Sequence, residues 1–260
     1  MNFDEFFGKF AFKASGAGLV GVEREQFVID PETNEIVPHA ARYLSHIEGL
    51  GGAIHHMKYQ FGYELSACQI ESKIGPCSLD RIEEQLNQSE QFLSSVDGKL
   101  SLGRLNLEVA PRDVPLDIYP DPTGRYQKIT QRMDKDVLKA ACRVAATHIH
   151  IGMPDIDTAI KSYNRSIESL DTLIRMGDHS KGQRMSLYPL MAKRHLPEII
   201  LSPKDFFEQA VTFGYDEDPR KCWTLIRISV HGTLEFRMFG ATDSIPEIME
   251  WVKQCHKLCS

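Results

Sequence analysis

Gly21-Val22-Glu23-Arg24-Glu25-Gln26-Phe27 sits within the apolar run from Leu19 to Ile29 and reads as a strand. Side chains two apart share a strand face, which points Glu23 and Glu25 the same way. Like charges so placed repel unless a cation lies between them or both reach water. A solvated edge strand is the plain account of such a pair. Far downstream, however, Thr233-Leu234-Glu235-Phe236-Arg237-Met238-Phe239 repeats the pattern with a carboxylate and a guanidinium at i and i+2. Two such strands suggest one polar sheet face used for chemistry.

The same reading assigns the rest of the chain. Phe3, Phe6, Phe7 and Phe10 recur at helical spacing between Asn2 and Lys13, and Asp30 to Glu35 is a turn that returns through Ile36 and Val37. A helix follows over Ala40 to Gly49, ended by Gly49 to Gly52, and strands are expected from Met57 to Leu65 and from Ala67 to Ile74. These would bring Glu64 and Glu71 into one sheet. Ser78 opens a helix with Ile82, Leu86, Leu93 and Val96 inward and Gly98 at its end. Gly103 to Val109 alternates as a strand, and the proline-rich stretch from Pro111 to Pro122 is a long loop suited to a lid or rim. One helix starts near Thr123-Gly124-Arg125-Tyr126 and carries Ile129, Met133, Val137 and Val144. Ala146 to Gly152 is a strand with His148 and His150 on one face and Ile149 and Ile151 on the other; ligation or substrate contact competes evenly there with structural hydrogen bonding. Asp155 caps a helix reaching Ile174, and Gly177 to Gly182 breaks it. A further helix over Gln183 to Leu201 carries Arg184, Lys193, Arg194 and His195, and Ser202-Pro203 sets up a short one. Trp223 to Val230 and Thr233 to Phe239 form a hairpin about His231-Gly232, and Ser244 to Glu247 has capping-box form.

Strands and helices mixed with hairpins, rather than in regular alternation, predict an α+β fold with a largely antiparallel sheet. The 260 residues, 42% hydrophobic and 25% charged, suit a globular chain. A formal net charge of -6 without a long basic block argues against nucleic acid and anionic membrane as partners, and no apolar run is long enough to span a bilayer. The N-terminus lacks the pattern of a signal peptide, and the six cysteines lack paired spacing. Reduced thiols and a cytoplasmic location are the expectation. Glu23, Glu25, Glu64, Glu71, His150 and Glu235 would gather on one side of the sheet, an oxygen-rich set that suits Mg²⁺ or Mn²⁺ better than zinc. With arginines beside it, a polyphosphate is the natural occupant. No phosphate-loop or dinucleotide fingerprint occurs, so metals and arginines would have to hold it.

These residues resemble a known family. The Gly-x-Glu-x-Glu-x-Phe of Gly21 to Phe27 is similar to the opening of glutamate–cysteine ligases and related carboxylate–amine ligases. Glu71 in Gln69-Ile70-Glu71, Gly124-Arg125-Tyr126, His148-x-His150-x-Gly152 and Thr233 to Arg237 match further signatures in the same order, over roughly residues 19 to 240. The resemblance implies a glutamine synthetase-like catalytic domain over residues 1–260, with a curved sheet forming a funnel and helices on its outer face. It implies ATP and Mg²⁺ or Mn²⁺ as cofactors, with Glu23, Glu25, Glu71, His150, Glu235 and, less centrally, Glu64 as metal ligands. Arg237 and Arg227 would contact the ATP phosphates, and Arg125 and Arg237 would act at the reacting groups. The partners implied are small amino-acid-like carboxylate and amine substrates joined in an amide, such as a γ-glutamyl bond; a homo-oligomer is compatible with this. The segment between His150 and Glu235 is short beside typical members, so metal and ATP chemistry transfers more directly than glutamate or cysteine. A metal-dependent hydrolase and a nucleotide-binding relative without turnover remain open.

Overall fold

The computed structural model describes residues 1–50 and 59–260; the expected helix end at Gly51-Gly52 and the strand start at Met57 lie outside the described residues. Among those residues, seven strands form one antiparallel sheet: β1 (Val20–Ile29), β2 (Tyr59–Tyr63), β3 (Gln69–Cys77), β4 (Gly103–Leu105), β5 (Ala146–Gly152), β6 (Ile226–Ser229) and β7 (Thr233–Gly240). Their order is β2-β3-β1-β5-β7-β6, with β4 paired beside the end of β1, so the sheet is open. The helices are α1 (Phe3–Phe7), α2 (Ala40–Gly49), α3 (Ile82–Leu100), α4 (Arg125–Thr130), α5 (Lys135–Arg143), α6 (Ile156–Glu168), α7 (Leu170–Met176), α8 (Gln183–Met191), α9 (Pro203–Phe213) and α10 (Ile245–Cys259).

Strand alternation sorts the chemistry. Val22, Ile74, Ile149, Ile151, Leu234 and Phe236 face the helix side, where they join Ile160 and Tyr163 of α6 and Ile248, Trp251 and Val252 of α10 in the largest apolar core. Burying such side chains contributes about 1.5–3 kcal/mol each. Phe6 and Phe10 enter this core against Phe206, whereas Phe3 stays 40% exposed. The residues between them turn to the opposite face.

Several elements differ from expectation. Ser78 closes a turn to the Arg81 amide (3.0 Å), and α3 starts only at Ile82; it runs through Gly98 and ends at Ser101, whose φ of 49° is left-handed. The strand expected over Gly103–Val109 shortens to β4, because its ladder with β1 covers only Phe27 to Ile29. The helix expected from Thr123 divides, since Asp134 caps a new one by accepting from the Asp136 amide at 2.8 Å. The helix after Asp155 divides at Ser169. The helix from Gln183 ends at Met191 rather than Leu201. Ser244 accepts from the Glu247 amide, but the Glu247 side chain leaves the box to pair with His179 at 2.8 Å.

Candidate active site

Antiparallel register brings the polar positions together. Glu25 lies opposite Glu71, Glu23 opposite both Lys73 and His148, and His150 opposite Glu235, which in turn faces Arg227. Directly opposed residues share a sheet face. Five strands therefore supply one polar surface from β3 to β6. Over it sit α4, α5 and α8, enclosing a cavity of about 390 Å³. Glu23, Glu25, Glu64, Glu71, Arg125, Arg227 and Arg237 line this cavity. His150 and Glu235 are buried in the same face, 8% and 0% exposed. Arg125 is exposed at the start of α4.

The two edges of the surface differ in charge. Toward β6 and β7, Arg227 Nε bonds to Glu235 Oε2 at 2.7 Å and Arg237 bonds to Glu235 Oε1, so both oxygens of the expected metal ligand are already held by the expected phosphate ligands. Burial opposes the charge on Glu235, but Arg227, Arg237 and His150 outweigh it and hold the carboxyl well below its ordinary value. Arg237 also lies over the Trp223 ring at 5.6 Å. Toward β2 and β3, acids crowd one another. Burial and Glu71 push Glu25 up to about 7, against the pull of Arg237 and Arg184. Burial, Glu25 and Glu23 push Glu64 up to about 8. Burial and Glu64 raise Glu71 despite its 2.7 Å ion pair with Lys73.

Between these edges, Glu23 Oε2 is 3.5 Å from His148 Nδ1 and 3.6 Å from His150 Nε2. Burial disfavours the Glu23 charge, yet His150 and His148 bring its pKa well below the ordinary value. Burial and Arg237 lower His148 to about 4, while on His150 the pull of Glu235 and Glu23 exceeds the effect of burial and raises it.

Among the described residues, no group of three or more His, Cys, Asp or Glu side chains could hold a metal ion as placed. The chemistry of the donors nevertheless fits a hard divalent cation. His150 Nε2 is buried without a hydrogen-bond partner, and Glu23 Oε2 and Glu235 Oε2 lie 3.6 and 4.0 Å from it. Those gaps are too long for hydrogen bonds and within twice a metal–oxygen distance of about 2.1 Å. A cation would also relieve the repulsion among Glu25, Glu64 and Glu71.

Sequence reasoning gave no particular role in the site to Lys73 or Arg184, which line the cavity, and none in the sheet to Arg24. Lys73 stands two residues after Glu71, a signal alternation could have shown. Arg184 of α8, 2% exposed, donates to the carbonyls of Arg237 and Met238 at 2.8 Å each and fixes the backbone of β7. Nothing local distinguishes it from its basic neighbours. Arg24, on the helix side of β1, is buried among Glu90 (3.0 Å) and the Thr242 carbonyl (3.0 Å), with Arg104 bracing Glu90 at 2.7 Å.

Helices packed on an antiparallel sheet whose other face is polar define a fold shared with other solved structures. The apo form of GmaS without ligand aligns with a TM-score of 0.51 at 12% identity, covering 99% of this chain and 58% of that one. A bifunctional glutathione synthetase from Pasteurella multocida aligns at 0.52 and 14%, covering 98% and 40%. The profile of Glutamate-cysteine ligase family 2 matches residues 19–174, and the chain belongs to that family. Relatives named "Putative glutamate–cysteine ligase 2" include one from Rhodopirellula baltica, 28% identical over 151 residues, and one from Gloeobacter violaceus, 25% identical over 256. They match 56% and 92% of this chain, which spans only 39% and 66% of their lengths.

Proposed function

We propose that residues 1–260 act as one catalytic unit of an ATP-dependent carboxylate–amine ligase. The observation that carries this reading is the convergence of guanidiniums, carboxylates and imidazoles from β1, β3, β5, β6 and β7 on one covered sheet face. In this reading the covered face is the funnel of a glutamine synthetase-like fold. Arg227 and Arg237 bind the triphosphate, and Arg125 at the mouth meets the substrate carboxylate or the phosphoryl group in transfer. Glu23, Glu25, Glu71, His150 and Glu235 would hold Mg²⁺ or Mn²⁺, with Glu64, just beyond β2, as the outlying member. Such cations, when bound, neutralise the β- and γ-phosphates.

The need for ATP follows from the poor electrophilicity of a carboxylate. A carboxylate oxygen attacks the γ-phosphorus, the bond to ADP breaks, and an acyl phosphate forms. The neutral amine nitrogen then attacks the acyl carbon, the carbon–oxygen bond breaks with its electron pair, and phosphate leaves, taking up the proton that the nitrogen sheds. Water competes for the acyl phosphate, so the covered face must exclude it. Arg184 supports this by holding the β7 backbone that presents Arg237.

The test is ADP release with Mg²⁺, glutamate and a panel of amines, beside Glu25→Ala and Glu235→Ala. Amine-dependent ADP release lost in both variants supports the ligase; turnover indifferent to both substitutions overturns it. Activity without ATP would identify a hydrolase, and ATP binding without product under any amine would identify a nucleotide-binding relative.

A further inference from the structure

Resting on the ligase reading, we infer that the amine substrate has an apolar body, aliphatic or aromatic, lying against a wall formed by α4, α5 and the residues that join and follow them, while its ammonium head meets Glu64. An apolar stripe on a helix ordinarily enters a core. Here Ile129, Met133, Val137, Ala141 and Val144 line the candidate active site and belong to none of the three apolar cores. Ile129 remains 42% exposed. Met133, Val137, Ala141 and Val144 are half-buried, and an occupant of the cavity would complete their burial.

Charge decides which substrate that is. The guanidiniums of Arg227 and Arg237 come from β6 and β7, at the opposite edge of the sheet from β2 and β3. That edge suits carboxylate and phosphate. Beside α4, in contrast, Tyr63 stacks on Tyr119 at 4.4 Å, and Tyr126 meets Tyr63 edge-on at 5.9 Å. Tyr126 lines the same cavity as Glu64 and Glu71. Aromatic faces beside carboxylates recognise ammonium groups. Lys73 already pairs with Glu71 at 2.7 Å, so the ammonium falls to Glu64, the outlying member of the acidic set, which then binds it in place of a metal ion. Arg125 lies over the outer ring of this corner, 5.7 Å from the Tyr126 centroid. The wall then continues from the head group along Ile129, Met133 and Val137, the direction in which an alkyl or aryl chain would extend.

Two measurements test this independently of each other. In calorimetric titrations of the full chain without ATP, affinity should rise about fourfold per added methylene from methylamine to butylamine, with phenethylamine tighter still. Ile129→Asn, at a half-open position that tolerates a polar group, and Met133→Asn should each weaken phenethylamine binding about tenfold. Equal affinities along the series, or binding unchanged in both variants, overturn the inference. In ADP-release assays with glutamate, kcat/KM should follow the same order. Preference for ammonia or small polar amines would overturn the apolar acceptor and leave the ligase standing. Tight binding of apolar amines without ADP release would overturn the ligase and leave the wall.

Discussion

Glu235 is the buried anion that holds two arginines of the polar face in place. It is fully buried, and its two oxygens are taken by Arg227 and Arg237, themselves only 16% and 11% exposed. Glu235→Gln preserves shape but removes the charge, leaving two guanidiniums facing each other beside His150, whose protonation Glu235 favours. Breaking a buried pair by removing one partner costs about 3–5 kcal/mol, because the remaining charge is left uncompensated. For a chain of this size each kcal/mol lowers Tm by about 2–4 °C, so the variant should melt at least about 6 °C lower. The freed guanidiniums become better anion ligands, and ATP or pyrophosphate should therefore raise the Tm of Glu235→Gln by more than that of the wild type. Scanning calorimetry with and without millimolar pyrophosphate measures both effects. A Tm within 2 °C of wild type, or no extra stabilisation by the anion, would refute the view that Glu235 and phosphate compete for the same arginines.

Other outcomes follow from the same geometry. Burial opposes the charge on Glu90, but Arg104 and Arg24 outweigh it and depress its pKa, so its stabilisation is present above the ordinary value near 4.5 and fades as pH falls through the depressed one. Glu90→Gln should thus lower Tm at pH 7, with the gap to wild type closing below about pH 4 in a pH-dependent melting series. A Cβ on Gly240 would stand 1.9 Å from Glu108 Oε1, which accepts from the His179 amide at 2.6 Å; Gly240→Ala should cost about 1–3 kcal/mol in urea unfolding. Trp223, 45% exposed beside Arg237, should change its emission when nucleotide binds, and Trp223→Phe should abolish that change while buried Trp251 stays silent. An unaltered spectrum in the wild type under saturating ATP would place the phosphates away from Arg237.

Period-two patterning made much of the sheet legible. The bounds of β5 at Ala146 and Gly152 and the common face of Glu23 with Glu25 follow from alternation alone, since the strands have one face in an apolar core. Helix breaks were less visible. Asp134 interrupts a run with helical spacing by capping the segment after it, and a cap is recognised only once the chain before it has turned away. Apolar spacing also could not tell a core stripe from a cavity wall: Ile82 and Ile129 look alike in sequence, yet the first is fully buried and the second half-open.

Local order decided which side chains share a face, because a strand's alternation is a property of neighbouring residues. Tertiary pairing decided who stands opposite whom. It gave Glu235 two arginines, set Glu25 against Glu71, and buried Arg184 behind β7. Charge interactions depend on distances across strands and on the water removed around them, and neither exists until the sheet has formed.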